Sequence, residues 1–386
     1  MNNIYRRPAL ASEMAKQLLR PSVLDERLRS GLFLSGLRRT GKTTFLLNDL
    51  IPALEELGAI VIYVDLWSDL QSSPAALVLA AVRKTLSELQ SPASHVLQQL
   101  KRVGSADIGA LGFKFAFKLE SLGTEGGPTI AQALTEVVDR FQTDVVLIVD
   151  EVQHAITSDE GNRMLLALKA ARDAINPRPG TPGYLTFIGT GSHRALVSEL
   201  ATRRNQAFAG AESIPYPVLN GGYVEHLLNR LAHEGAGPLP SLPVAIQSFS
   251  TLGNRPEEML SALRQLRHNL PQGADPDQYL PVIAATLRSM AADIELIKVE
   301  QLGGLATAIF ERIAATGGDA RGVFSAEAAV EYSNAVGREV RVDAIQPVVN
   351  DLLAANLIMR KAHGMYGISD PFVQEIWKEK KALGDF

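Results

Sequence analysis

The sequence predicts an α/β unit with a parallel five-stranded core sheet, followed by an all-helical unit and a C-terminal winged helix-turn-helix. Three observations predict it. Short apolar runs alternate with helical patterns through residues 1–220, as a parallel sheet buried on both faces requires. One run, Leu32-Phe33-Leu34, opens directly onto Gly36-Leu37-Arg38-Arg39-Thr40-Gly41-Lys42-Thr43. From Gly221 onward the alternation stops, and proline-separated helical patterns lead into a helix, hairpin and helix at the end of the chain.

The glycine-rich stretch reads G-x-x-x-x-G-K-[ST], the spelling of a phosphate-binding loop. Gly36 and Gly41 let the backbone curl so that successive N–H groups face phosphate oxygens. Lys42 is expected to neutralise the β- and γ-phosphates, and the Thr43 hydroxyl to ligate Mg²⁺. The helix that follows, starting at Thr44, adds about half a positive charge at the anion. The contacting set is therefore Gly36, Leu37, Arg38, Arg39, Thr40, Gly41, Lys42, Thr43 and Thr44. Downstream, Val145-Val146-Leu147-Ile148-Val149 is a central strand ending in Asp150-Glu151. Asp150 is expected in the Mg²⁺ shell, with Glu151 orienting and deprotonating the attacking water. The two motifs together make the α/β unit a P-loop nucleotide triphosphatase with ATP and Mg²⁺ as its cofactors.

Taken in order, residues 9–30 read as helical, with Leu18, Leu19, Leu24 and Leu28 apolar and Pro21 breaking the run. Ala59–Asp65 is a second strand, followed by helices near 74–89 and 94–103. Residues 108–119 read as an extended excursion or small hairpin, with Phe113, Phe115 and Phe117 on one face. Thr129 caps the helix leading to the acidic strand. His154 is read as structural or partner-facing. Tyr184–Gly189 is the fourth strand, and Thr190-Gly191-Ser192 beyond it is either a γ-phosphate sensor or a turn capped by Ser192. Arg203 and Arg204 are either fingers reaching a neighbouring subunit's nucleotide or a solvated helix end. Ser213–Leu219 is the fifth strand.

Residues 221–297 form the helical unit, broken at Pro238, Pro240, Pro243, Pro271, Pro276 and Pro281. Within it Gly253-Asn254-Arg255-Pro256 starts a helix. Residues 298–386 carry helices near 301–315, 325–336 and 342–356, then a hairpin around His363-Gly364 and a last helix from Pro371. From Lys298 onward 10 Lys/Arg face 12 Asp/Glu, a balance of −2, and the recognition helix has no Lys or Arg. DNA binders neutralise several phosphates and read guanine with arginine, so a protein contact competes with DNA as the partner.

Composition sets outer bounds. With 386 residues, 46% hydrophobic and 21% charged, the chain is long enough for two to three ordinary cores. A net charge of −4 gives no overall attraction to nucleic acid or anionic lipid. With no cysteine, thiolate metal sites and disulfides are excluded and a reducing cytoplasm is the expected location. No run approaches the roughly 18 apolar residues of a membrane span.

The order of motifs resembles the archaeal-type ATPases of the STAND group, relatives of origin-recognition ATPases within the AAA+ class. The arginine-bearing loop 36–43, Asp150-Glu151-Val152-Gln153, Gly253-Asn254-Arg255-Pro256 and Tyr366-Gly367-Ile368-Ser369-Asp370-Pro371 carry that resemblance. It implies an ATP-driven switch with a helical lid, Pro256 near the nucleotide base and Arg255 as the lid's phosphate sensor. Trans-acting Arg203 or Arg204 would suit ring-forming AAA+ relatives better than STAND switches. Two uses follow: a signalling switch whose output is a protein contact, and a DNA-associated AAA+ ATPase that assembles on duplex DNA. The second adds an ATP-dependent homo-oligomer.

Overall fold

The computed structural model describes residues 4–91, 94, 96–98, 100, 114–202, 206–235, 237–317 and 319–383. Its first part is built on five strands: β1 (Leu32–Ser35), β2 (Ile60–Asp65), β3 (Val145–Asp150), β4 (Leu185–Gly191) and β5 (Glu212–Pro215). They lie in the order β2-β3-β4-β1-β5, and every neighbouring pair is parallel. The two-residue period of a strand sorts each apolar run between two cores. Phe33, Ile62, Val64, Leu147, Val149 and Phe187 face one side, under α3 (Pro74–Gln90), α4 (Ile130–Phe141) and α6 (Asp159–Ile175). Leu32, Leu34, Val146, Ile148 and Ile188 face the other, under α1 (Pro8–Leu19) and α2. Helix α2 spans 42–56, with a π turn at Leu46–Leu50 between two α-helical stretches. Every residue of β3 and β4 is buried, which is why their sequences are nearly continuous apolar runs.

Several local expectations shift. β4 runs two residues beyond Gly189, so Thr190 and Gly191 belong to the strand. β5 ends at Pro215, four residues short of the expected Leu219, where Pro215 and Pro217 lack the N–H a ladder needs. Helix α1 stops before Pro21, and Val23–Ser30 is a 3₁₀ stretch with no fully buried residue; Leu28 packs partly against the core while Leu24 is 94% exposed. Of the phenylalanine-rich excursion, residues 108–113 lie outside the described residues. Within it Phe115 and Phe117 stack with ring centroids 5.5 Å apart, and Ala116 donates to Glu136 rather than to a strand partner.

The four-residue α5 (Gln153–Ile156) precedes α6, and α7 (Arg194–Thr202) follows β4. Four helices come next: α8 (Gly221–His233), α9 (Leu242–Thr251), α10 (Pro256–Asn269) and α11 (Pro276–Gln301). Pro243, Pro256 and Pro276 occupy first turns, where a missing N–H costs nothing. Pro281 was expected to break the chain but lies inside α11. That helix crosses position 297, burying Leu280 and Ala284 among α8–α10, and Leu296 and Val299 in the C-terminal core. The remainder is α12 (Gly304–Ala315), β6 (Ala320–Arg321), α13 (Ala326–Val336), α14 (Val342–Ala354), β7 (Ile358–Ala362), β8 (Met365–Ile368) and α15 (Pro371–Leu383). Its small antiparallel sheet has the order β6-β8-β7. Among the described residues, no helix is long and apolar enough to cross a membrane.

Candidate active site

The carboxyl ends of β1, β3 and β4 converge where the order of strand connections reverses, the usual position for a ligand in an open α/β sheet. From β1 the chain enters loop 36–43. A Cβ on Gly36 would stand 2.9 Å from the Cβ of Tyr216, so the strand-to-loop exit tolerates only glycine. Gly41 has φ +89°, and Arg39 takes the left-handed region at φ 62°, giving the loop its curl. Thr40 pins the turn by donating its hydroxyl to Leu37 O at 2.8 Å. Lys42 Nζ folds back and donates to Gly36 O and Leu37 O, each at 2.7 Å. Burial lowers the Lys42 pKa, against the pull of Glu151 and Asp150. An ammonium held this way by neutral carbonyls is poised to exchange them for an anion.

Asp150, almost wholly buried at the tip of β3, is the hub of the opposite wall. Thr43 donates its hydroxyl to Oδ2 at 2.7 Å, and Tyr63 donates to the same oxygen at 3.3 Å. Thr190 donates to Oδ1, which also receives the Glu151 N–H at 3.0 Å. Burial, then the neighbouring carboxylates, raise the Tyr63 pKa, so that phenol remains a donor. Thr43 and Asp150 present only oxygens, a donor set that fits a hard divalent cation whose other ligands are water and phosphate.

Glu151 follows in the left-handed region at φ 55°. Its Oε2 accepts from the Ser192 hydroxyl at 2.9 Å, from the Ser192 N–H at 3.3 Å, and from the Gln153 amide. The carboxylate is thus held against the end of β4. Gln153 is confined in turn: a Cβ on Gly191 would fall 2.1 Å from its Oε1. The next two residues leave the sheet and meet the C-terminal unit. His193 Nε2 lies 3.0 Å from Ala354 O, and Arg194 donates to Ser369 O.

The remaining arginines are spread apart. Arg38 stacks 4.6 Å above the Trp67 ring, whose centroid is 5.4 Å from that of His154. Arg39 pairs with Glu257 of α10 at 3.0 Å, both largely exposed. Arg255, expected to face the phosphates, instead pairs with Asp370 just ahead of α15, each only 16% exposed, and lies 4.9 Å over the Phe372 ring. The carboxylate that holds it is 115 residues away in sequence. Pro256 borders a cavity of about 540 Å³ beside the loop, with Tyr5, Gly41, Thr44, Phe45 and Leu260 in its wall. Arg203 and Arg204 lie outside the described residues.

No family model and no curated protein sequence matches the chain. Solved structures do. The Walker-type ATPase PABY2304 of Pyrococcus abyssi aligns with a TM-score of 0.53 at 17% identity, over 95% of each chain. The ADP form of the ORC2 protein of Aeropyrum pernix aligns with a TM-score of 0.54 at 13% identity, over 98% of this chain and 96% of that one. The chain shares the fold of these two proteins, a parallel five-stranded core with a phosphate-loop motif after β1, followed by helical units.

Within that fold the N-terminal segment contributes what sequence patterning missed. Arg7 donates to Pro217 O at 2.6 Å and to the Tyr216 hydroxyl, with its guanidinium 4.7 Å from the centre of the Phe45 ring. Tyr216 passes the link on, donating to Gly41 O at 3.0 Å; burial pushes its pKa up to about 12. Asp49 of α2 anchors the same segment by accepting from Arg6 at 2.8 Å and from the Arg7 N–H at 3.0 Å. Adjacent arginines before Pro8 were the only sequence trace of this clamp, and nothing in their spacing names Tyr216 as the partner.

Proposed function

We propose that the chain is a Mg²⁺-dependent ATPase whose binding and hydrolysis of ATP switch its helical and C-terminal units between arrangements. The observation that carries the reading is one continuous connection. The carboxylate in the position of the water-activating base is held by Ser192, and the residues directly after Ser192 are bonded to the C-terminal unit.

The adenine would occupy the cavity walled by Tyr5, Phe45, Leu260 and Pro256, with its phosphates running along loop 36–43. Lys42 would trade two loop carbonyls for β- and γ-phosphate oxygens, while N–H groups at the start of α2 face the anion. Thr43 and Asp150 would hold the Mg²⁺. When bound, the ion neutralises charge on the phosphate oxygens. Glu151 would take the proton of the attacking water once it leaves Ser192 and Gln153. Catalysis is then positioning and charge neutralisation. Residues 1–220, 221–297 and 298–386 are read as the ATPase, lid and winged-helix units, with the continuous helix α11 crossing the last boundary.

A protein contact is favoured over duplex DNA as the output. Helix α14, in the place of a recognition helix, carries neither Lys nor Arg. Of the hairpin's basic residues, Arg360 donates to the Tyr366 hydroxyl at 3.0 Å and Lys361 pairs with Asp319 at 3.2 Å. Arg203 and Arg204 enter this reading only as trans-acting groups of an ATP-dependent oligomer.

Phosphate release and binding of fluorescent ATP, measured on wild type, Lys42→Ala and Glu151→Gln, test the proposal. Lys42→Ala is expected to lose ATP binding. Glu151→Gln is expected to bind ATP like wild type and lose turnover. Normal turnover by Glu151→Gln would overturn the assignment of the base, and no ATP turnover by wild type would overturn the ATPase reading.

A further inference from the structure

We propose that the phosphate loop supplies its own catalytic arginine, Arg38, which rests on Trp67 until the γ-phosphate arrives. The inference rests on the ATPase reading and assigns a transition-state group within it.

Arg38 and Arg39 are consecutive but diverge. The left-handed backbone at Arg39 sends that side chain to Glu257, on the lid side of the loop. Arg38 instead lies over the Trp67 ring, although both arginines border the same cavity. Its perch, Trp67, lies in the turn just after β2, whose last residue Asp65 is the register neighbour of Asp150. The indole in turn touches His154, three residues beyond Glu151. Arg38 also borders a cavity of about 580 Å³ with Gln153 and Ser192, the two side chains that hold Glu151.

The other arginines around the loop are engaged: Arg7 by Tyr216 and Pro217, Arg39 by Glu257, and Arg255 by Asp370. Among the described residues, no carboxylate lies within ion-pair distance of Arg38. What holds it is a solvated ring face, a weak contact beside a charge-assisted, bidentate hydrogen bond to phosphate. A guanidinium in that state moves at small cost when three charged oxygens appear at Lys42. Phosphoryl transfer gains most from a cation that meets charge as it develops, and a group already attached to the loop loses little freedom in doing so. No neighbouring subunit is needed for this step.

The test compares full-length wild type, Arg38→Ala and Arg38→Lys for ATP affinity, turnover and formation of a stable ADP–aluminium fluoride complex. Arg38→Ala is expected to bind ATP within a few-fold of wild type, to lose turnover by roughly 100-fold or more, and to fail to trap aluminium fluoride. Arg38→Lys should restore part of each. Mixing Arg38→Ala with Lys42→Ala protein should restore nothing, because one retains the loop that binds ATP and the other retains only the arginine. Rescue on mixing would overturn the in-cis assignment. Wild-type turnover and trapping by Arg38→Ala would overturn the proposal outright, as would a loss confined to ATP affinity. Absence of turnover in wild type itself would instead sink the ATPase reading beneath it.

A second readout uses Trp67, one of two tryptophans in the chain, in a Trp377→Phe background. ATP added to the Glu151→Gln form should change Trp67 emission as the cation leaves the ring, and should not when Arg38 is Ala. An unchanged spectrum with Arg38 present would count against the movement.

Discussion

Asp370→Asn should loosen the C-terminal unit's hold on Arg255 at the start of α10 and, with α10 in the proposed lid, speed nucleotide release. Asp370 uses its two oxygens for different tasks. Oδ1 accepts the Phe372 N–H at 3.1 Å, capping α15, and Oδ2 accepts from Arg255. Asparagine keeps the cap but turns an NH₂ toward a guanidinium. With both side chains 16% exposed, water replaces little of what is lost. A hydrogen bond to a charged group contributes about 1.5–3 kcal/mol, while the Phe372 face still holds part of Arg255. A net loss of about 2 kcal/mol corresponds to roughly a 30-fold shift between docked and released forms. Stopped-flow release of a fluorescent ADP analogue reads that shift, because Pro256, next to Arg255, borders the cavity proposed for the base. The expected result is release about 10–100-fold faster than wild type. A double-mutant cycle with Arg255→Met should return a coupling of about 1 kcal/mol or more. Unchanged release, or a coupling below about 0.5 kcal/mol, would refute the idea that this ion pair restrains the lid.

Ser192→Ala removes the 2.9 Å hydroxyl donor to Glu151 and leaves the N–H and Gln153 in place. The held carboxylate is weakened by about 1–2 kcal/mol, so basal turnover should rise up to about tenfold; a fall would mean Ser192 serves the active arrangement instead. His193 is expected to titrate below its ordinary value of 6.5, since burial, the largest influence, favours the neutral ring. The folded form then binds fewer protons than the unfolded one, so stability is full above about pH 6.5 and declines as pH falls toward the lowered pKa. Histidine NMR shifts and denaturation midpoints at pH 5 and 7 check both, and a His193 midpoint at or above 6.5 would contradict the burial of this ring as the dominant influence.

The sheet was legible because parallel strands covered on both faces leave long apolar runs, as Val145–Val149 shows. The phosphate loop was legible because glycines, Lys42 and Thr43 must occur at fixed spacing for a short loop to enclose an anion. Distance along the chain hid the rest. Nothing near Arg255 signals that Asp370 claims it, and nothing near Arg7 points to Tyr216. The hold on Glu151 depends on β4 reaching Gly191, which brings Ser192, the next residue, within hydrogen-bond reach of the Glu151 carboxylate. Pro281 misled by residue type, since it lies within a helix whose packing on two cores outweighs one lost hydrogen bond. Leu24 misled by apolar periodicity across a proline, beyond which the chain turns 3₁₀ and faces solvent.

The switch itself is tested most directly by small-angle scattering of Glu151→Gln protein, with solution mass recorded on the same samples, in ATP·Mg²⁺ and in ADP. The expected result is a larger maximum dimension in ATP, as the residues after Ser192 release Ala354 and Ser369. A monomer in both nucleotides would accompany an arginine acting in cis, whereas a defined oligomer only in ATP would bring Arg203 and Arg204 into the site. Superimposable profiles in the two nucleotides would contradict the proposal that ATP moves the C-terminal unit.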